Sequence, residues 1–80
     1  MATHEIKAML PGMFYRKPSP EEPPFKSEGD TVSKGDVIGL IEVMKSFHEV
    51  SSDVDGKIVS FEVDDADAIT PGATLAVVET

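Results

Sequence analysis

Two stretches of this chain are imperfect copies of each other, and that repeat limits the folds open to it more than any other feature. Displaced by 37 positions, residues 28–42 align with 65–79. Asp30 meets Asp67, Gly35 meets Gly72 and Glu42 meets Glu79, while Val32/Ile69, Ile38/Leu75, Leu40/Val77 and Ile41/Val78 agree in character. Even the commonest residues have a usage of only roughly 7%, so about one identity is expected by chance in such a window. Two copies imply a pseudo-two-fold fold whose halves pack face to face, because a unit this small cannot bury its apolar side alone. A second displacement, of 44, sets Pro11-Gly12 on Asp55-Gly56, so the first half holds about seven extra residues between Phe14 and Phe25. Pro18, Pro20, Pro23 and Pro24 fall in that interval, with Glu21 and Glu22 among them. Proline fixes φ and lacks the amide donor that a ladder needs, so the segment is expected to protrude as a stiff loop.

The local pattern is that of short strands. Residues 37–43 form a run rich in β-branched side chains, bounded by Lys34-Gly35-Asp36 and Met44-Lys45-Ser46. Residues 47–50, 57–63 and 74–79 read as further strands, separated by the turn signals Asp55-Gly56 and Pro71-Gly72. Residues 4–10 and 13–16 flank Pro11-Gly12 in the same way. No window of about eleven residues sustains a helical period. Frequent Gly and Pro punctuation between short strands predicts an all-β barrel or sandwich.

Composition narrows the function. Eighty residues make one domain at most, with a small core and little room for a deep catalytic cavity. The absence of cysteine excludes disulfide scaffolds, thiolate metal sites and cysteine nucleophiles, and favours a reducing, cytoplasmic setting. Fifteen acidic side chains against seven Lys and Arg give a net charge of −8, a surface repelled by phosphate backbones and anionic lipid. Neither nucleic acid nor a membrane is an expected partner. The longest apolar stretch, Leu75-Ala76-Val77-Val78, is far short of the roughly 20 residues of a membrane span. His4 and His48 have no ligand spacing, and Ser46 beside Lys45 lacks the pocket that a Ser–Lys nucleophile needs. Gly35 and Gly72 read as turn residues.

The join between the two copies carries the functional signal. Strand pattern runs up to Val43 and resumes at Phe47, which sets Met44 and Lys45 at the tip of a hairpin. The tip has no Gly, Asn or Asp, the residues that ease a two-residue turn. A non-glycine residue held at positive φ costs of order 1–3 kcal/mol and tends to mark a functional site. The expectation is a lysine presented at the outermost point of the fold against local preference, open to another protein's active site.

These residues resemble a known family. Glu42-Val43-Met44-Lys45 resembles the Glu-Ala-Met-Lys-Met attachment motif of biotin carboxyl carrier domains. The segment 11–20 is similar to the one that opens the protruding thumb of acetyl-CoA carboxylase carrier subunits. Gly29-Asp30, Val32 and Lys34-Gly35-Asp36 recur in that family ahead of the attachment strand, and the likeness runs from about Ile6 to Glu79. Val43 stands where the family usually has Ala, and Ser46 where it has a second Met.

The resemblance implies a single carrier domain over 1–80: a flattened barrel-sandwich hybrid of two four-stranded antiparallel sheets, with a thumb-like insert at about 17–25 reaching toward the biotin ring. It implies biotin in amide linkage to Lys45, with Glu42, Val43, Met44 and Ser46 forming the surrounding attachment motif. The domain is then a non-catalytic component shuttling carboxybiotin between a biotin carboxylase and a carboxyltransferase subunit, after modification by a biotin–protein ligase. Two alternatives stand beside it. One is a lipoyl carrier of a 2-oxoacid dehydrogenase or glycine-cleavage system, the sister family that commonly reads Asp-Lys-Ala at this hairpin. The other is an unmodified structural or adaptor domain of the same fold.

Overall fold

The computed structural model describes residues 2–19 and 21–80; Pro20, one of the four prolines expected in the protruding loop, lies outside them. Eight strands follow one another: β1 (Thr3–Lys7), β2 (Gly12–Tyr15), β3 (Thr31–Val32), β4 (Val37–Val43), β5 (Ser46–Ser51), β6 (Gly56–Phe61), β7 (Asp67–Ile69) and β8 (Thr74–Glu79). They form two four-stranded sheets, ordered β1-β8-β6-β3 and β5-β4-β2-β7, in which every pairing is antiparallel. There is no helix among the described residues. The sheets stay open and are not closed into a barrel, so of the barrel or sandwich that the strand pattern predicts the chain forms the flattened sandwich that the family resemblance implies.

The internal repeat is visible in the topology. Replacing each strand by its mate (β1 by β5, β2 by β6, β3 by β7, β4 by β8) converts one sheet order into the other. The turns obey the same rule. Gly35 N donates to Ser52 O at 2.7 Å and Gly72 N to Ala8 O at 2.8 Å, while Asp36 N closes on Ser33 O and Ala73 N on Thr70 O. Gly12 and Gly56 correspond as well: a Cβ on the first would collide with the carbonyl oxygen of Glu42, and on the second with that of Glu79. Neither position admits a side chain, because the neighbouring strand passes too close.

Each sheet takes two strands from each half, so neither half has a core of its own. One apolar cluster joins Val32 and Ile38 from the first copy to Ile58, Ala76 and Val78 from the second; the other joins Phe14 and Ile41 to Ile69 and Leu75. Phe14, Ile38, Leu75 and Val78 are wholly buried. Burying each such side chain contributes roughly 1.5–3 kcal/mol, which the isolated halves would forgo.

Three features depart from simple pattern reading. The strands β3 and β7 were not expected. The run 57–63 ends as a strand at Phe61, and a register shift between Ile58 and Ser60 breaks its alternation. Val59 therefore stands half exposed while Ile58 is buried and Phe61 packs inward three residues later.

Candidate functional site

The hairpin β4–β5 is built from the inside out. Ile41 is buried, and its strand is held on one side by β2 (Met13 opposite Glu42) and on the other by β5 (Glu42 opposite Phe47, Val43 opposite Ser46). Only Met44 and Lys45 remain to turn the chain, with φ of 50° and 67°. Positive φ at both central residues is the condition of a type I′ turn, whose twist matches the flanking strands. Asn-Gly ordinarily fills it; Met-Lys holds it against a preference of roughly 1–2 kcal/mol per residue. The ladders on both sides impose that geometry on the tip.

The expected site residues occupy graded depths. Val43 is half-buried against the second apolar cluster, and Glu42 is half-buried on the outer face of the sheet. Met44, Lys45 and Ser46 are exposed, Met44 at 94%. No ion pair among the described residues involves Lys45, and no group of His, Asp or Glu there could hold a metal ion. The tip thus offers an exposed amine that no carboxylate pairs with among the described residues. His4 Nε2 lies 2.8 Å from Asp53 Oδ1, an ordinary surface pair.

Two aromatic residues missing from the expected site brace the hairpin. Tyr15 donates its hydroxyl to Glu42 Oε1 at 3.1 Å, and its ring meets that of Phe47 with centroids 6.3 Å apart. The hydrogen bond to the Glu42 carboxylate, then partial desolvation and the charges of Glu42 and Asp65, hold the Tyr15 phenol above its ordinary pKa. The signal in the sequence was faint: a tyrosine two strands away that meets Glu42 only once β2 lies beside β4.

The Pro-rich segment flanks the same hairpin. It leaves β2 at Arg16, whose guanidinium sits 4.1 Å over the Phe61 ring and whose amide donates to Asp65 Oδ1 at 2.7 Å. Phe25 N closes the neck on Arg16 O at 2.9 Å, and Lys26 Nζ reaches Asp36 Oδ2 at 3.6 Å. The loop is thus fastened at its base while Lys17, Pro18 and Ser19 form one wall of a cavity of about 470 Å³. Tyr15, Glu42, Phe47 and Asp65 line the rest. The lining mixes the Tyr15, Phe47, Pro18 and Ala66 surfaces with the polar groups of Lys17, Ser19, Glu42 and Asp65.

Known proteins share this sequence and this fold. The family described as "Biotin-requiring enzyme" matches residues 4–78. The chain is 39% identical over 74 residues to the biotin carboxyl carrier protein of a chloroplastic acetyl-CoA carboxylase from Glycine max, covering 92% of this chain and 28% of that protein. It is 40% identical over 70 residues to the corresponding carrier protein of Streptococcus pyogenes, covering 88% and 42% respectively. The chain therefore spans less than half the length of these two curated relatives. Its fold superposes on part of the Kluyveromyces lactis urea carboxylase with a TM-score of 0.79 at 23% identity, over 99% of this chain and 6% of that one.

Proposed function

This chain belongs to the family of biotin-requiring enzymes, and from that membership we propose that it is a biotin carboxyl carrier whose Lys45 is the attachment residue. The observation that carries the reading is the tip itself: an exposed lysine amine on a two-residue turn with both φ positive, at the midpoint of a duplicated sandwich. The residues around the tip fit a tethered biotin. Lys45 is free to enter a ligase active site, and Glu42, Val43, Met44 and Ser46 supply the flanking surface that a biotin–protein ligase reads. Once attached, biotin supplies a ureido nitrogen able to accept and release a carboxyl group; this chain supplies position only.

Its own residues act as a rigid mount. The β2–β4–β5 ladder and the Tyr15–Glu42 hydrogen bond hold the hairpin, so motion is confined to the lysine arm. A group held this way meets a second active site at an effective concentration that reaches the millimolar range, where a free one is diluted. Acylation removes the charge of Lys45 and leaves a less polar tip. The segment 17–25 acts as a thumb, and the cavity it shares with the hairpin receives the ring between transfers. The partners are a biotin carboxylase and a carboxyltransferase of the acetyl-CoA carboxylase type, in the cytoplasm, and the chain itself catalyses nothing.

Intact-protein mass after co-expression with a biotin–protein ligase, or with a lipoyl ligase, tests this directly. One biotinyl adduct on the wild-type chain and none on Lys45→Arg is the expected result. A lipoyl adduct, or biotin retained by the variant, overturns it.

A further inference from the structure

Four strands lie at sheet edges: β1 and β3 in one sheet, β5 and β7 in the other. An edge strand is a template for another chain unless it is short, charged with lysine, bulged or covered. β3 has two residues and β7 three. β1 carries Lys7 and a register shift between Ile6 and Lys7. β5 has none of these protections along most of its length. It runs six residues without Pro or Lys, five of them exposed, and the irregularity in its pairing falls on β4 between Val37 and Gly39.

The phase of its free hydrogen bonds follows from the turn. Val43 and Ser46 flank a two-residue turn and form a bonded pair, so the next bonded pair is Ile41 with His48. The N–H and C=O groups of Phe47 and Glu49 therefore point away from β4, toward solvent. Beside this edge a groove of about 400 Å³ runs between β5 and β1. Its apolar lining includes Leu10 and Val50, and the carboxylates of Glu5, Glu49 and Asp53 outnumber Lys7 around it.

We propose that the free edge of β5 is a docking site which takes an extended segment of a partner protein, basic and apolar in alternation, as a fifth strand of that sheet. The main chain supplies bonds at Phe47 and Glu49, the groove takes apolar side chains, and the carboxylates select lysine or arginine. A second copy of this chain is disfavoured as the occupant, since each carries a net charge of −8. The docked segment would begin two residues from Lys45, which holds a partner beside the amine whether or not that amine is modified. The site extends the proposed carrier role but does not depend on it.

The test is a titration of the isotope-labelled 80-residue chain with a capped hexapeptide of alternating Lys and Val, followed by amide resonances. Shifts concentrated at residues 46–51, slowed amide exchange at Phe47 and Glu49, and affinity that falls as salt is raised are expected. The matching Glu-Val peptide should not bind. Glu49→Pro removes one outward N–H without touching the β4 ladder and should abolish binding. Glu49→Lys keeps the backbone intact, decides the matter should the proline variant fail to fold, and should weaken binding roughly fivefold. No binding at millimolar peptide, shifts centred on another strand, equal binding of the acidic peptide or an unaffected Glu49→Lys each overturns the proposal. So does concentration-dependent self-association mapped to β5, which would make a second copy the occupant.

Discussion

The pair Val43–Ser46, at the foot of the lysine hairpin, has its repeat mate at the opposite end of the molecule in Thr80 and Ala2. There Thr80 N donates to Ala2 O at 2.8 Å and Ala2 N to Thr80 O at 3.5 Å. One pair is bridged by Met44 and Lys45; the other forms between strands that no short turn connects. The ladder thus reaches the Ala2–Thr80 pair without a turn, so nothing in sheet formation calls for those two residue types at positive φ. In the first half the tip is held in a disfavoured geometry by strands that would pair regardless. The lysine is thus presented on a strained turn that the ladder itself does not require.

Changes to the tip separate the two ends most sharply. Lys45→Arg should eliminate biotinylation entirely while leaving thermal stability unchanged, since the side chain is exposed; avidin blotting and a melting curve report both. Label surviving on that variant would dissolve the distinction between the two ends. In the core, by contrast, the halves should behave alike. Phe14 and its mate Ile58 are both fully buried, and truncation to Ala should cost roughly 3–5 kcal/mol for Phe14 and 2–5 kcal/mol for Ile58 in urea unfolding. A small loss at either position would mean that the two clusters are not equivalent supports. The double change Met44→Asn with Lys45→Gly should stabilise the fold by about 1–2 kcal/mol, because it gives the type I′ turn its preferred residues. It also removes the acceptor amine. A neutral or destabilising result would show that the tip is not strained.

How much of this was legible beforehand depended on the reach of each interaction. The strands β4 and β8 are largely apolar, β-branched runs between turn signals, and their bounds were readable to the residue. The tip followed from them, since Met44 and Lys45 are what is left between two strand patterns. β3 and β7 were not readable, because two or three residues carry too little alternation to register. The bulge in β6 turns Phe61 inward three residues after buried Ile58, an effect produced by its pairing with β8 and not by its own residues. Tyr15 carries no signal of its own in the sequence beyond its place in the segment 11–20. Its bond to Glu42 spans 27 positions and exists because β2 lies beside β4. Chemistry written into one short segment could be read; chemistry assembled across strands could not.

The smallest effect concerns a turn at which the halves agree in shape and differ in residue. Ser27 and Asp30 enclose Gly29, as Asp64 and Asp67 enclose Ala66, each turn closed by the same backbone and carboxylate bonds. Gly29 has φ of 92° and Ala66 of 63°, so the second copy sets a Cβ in the left-handed region where the first has none. Ala66 N donates to Phe14 O at 2.7 Å and Gly29 N to Ile58 O at 2.8 Å, which anchors both turns on mated core residues. Relief of the left-handed strain favours glycine by about 1–2 kcal/mol, and the added freedom of the unfolded chain returns about 0.4–1 kcal/mol of it. Ala66→Gly should therefore stabilise the fold by roughly 0.5 kcal/mol, and Gly29→Ala should destabilise it by a similar amount. Chemical denaturation of the two variants side by side reads the difference. Opposite signs of near-equal size would establish that the two turns are one structure used twice, whereas a loss of stability in Ala66→Gly would mean that its Cβ is held by contacts on the cavity beside Phe47.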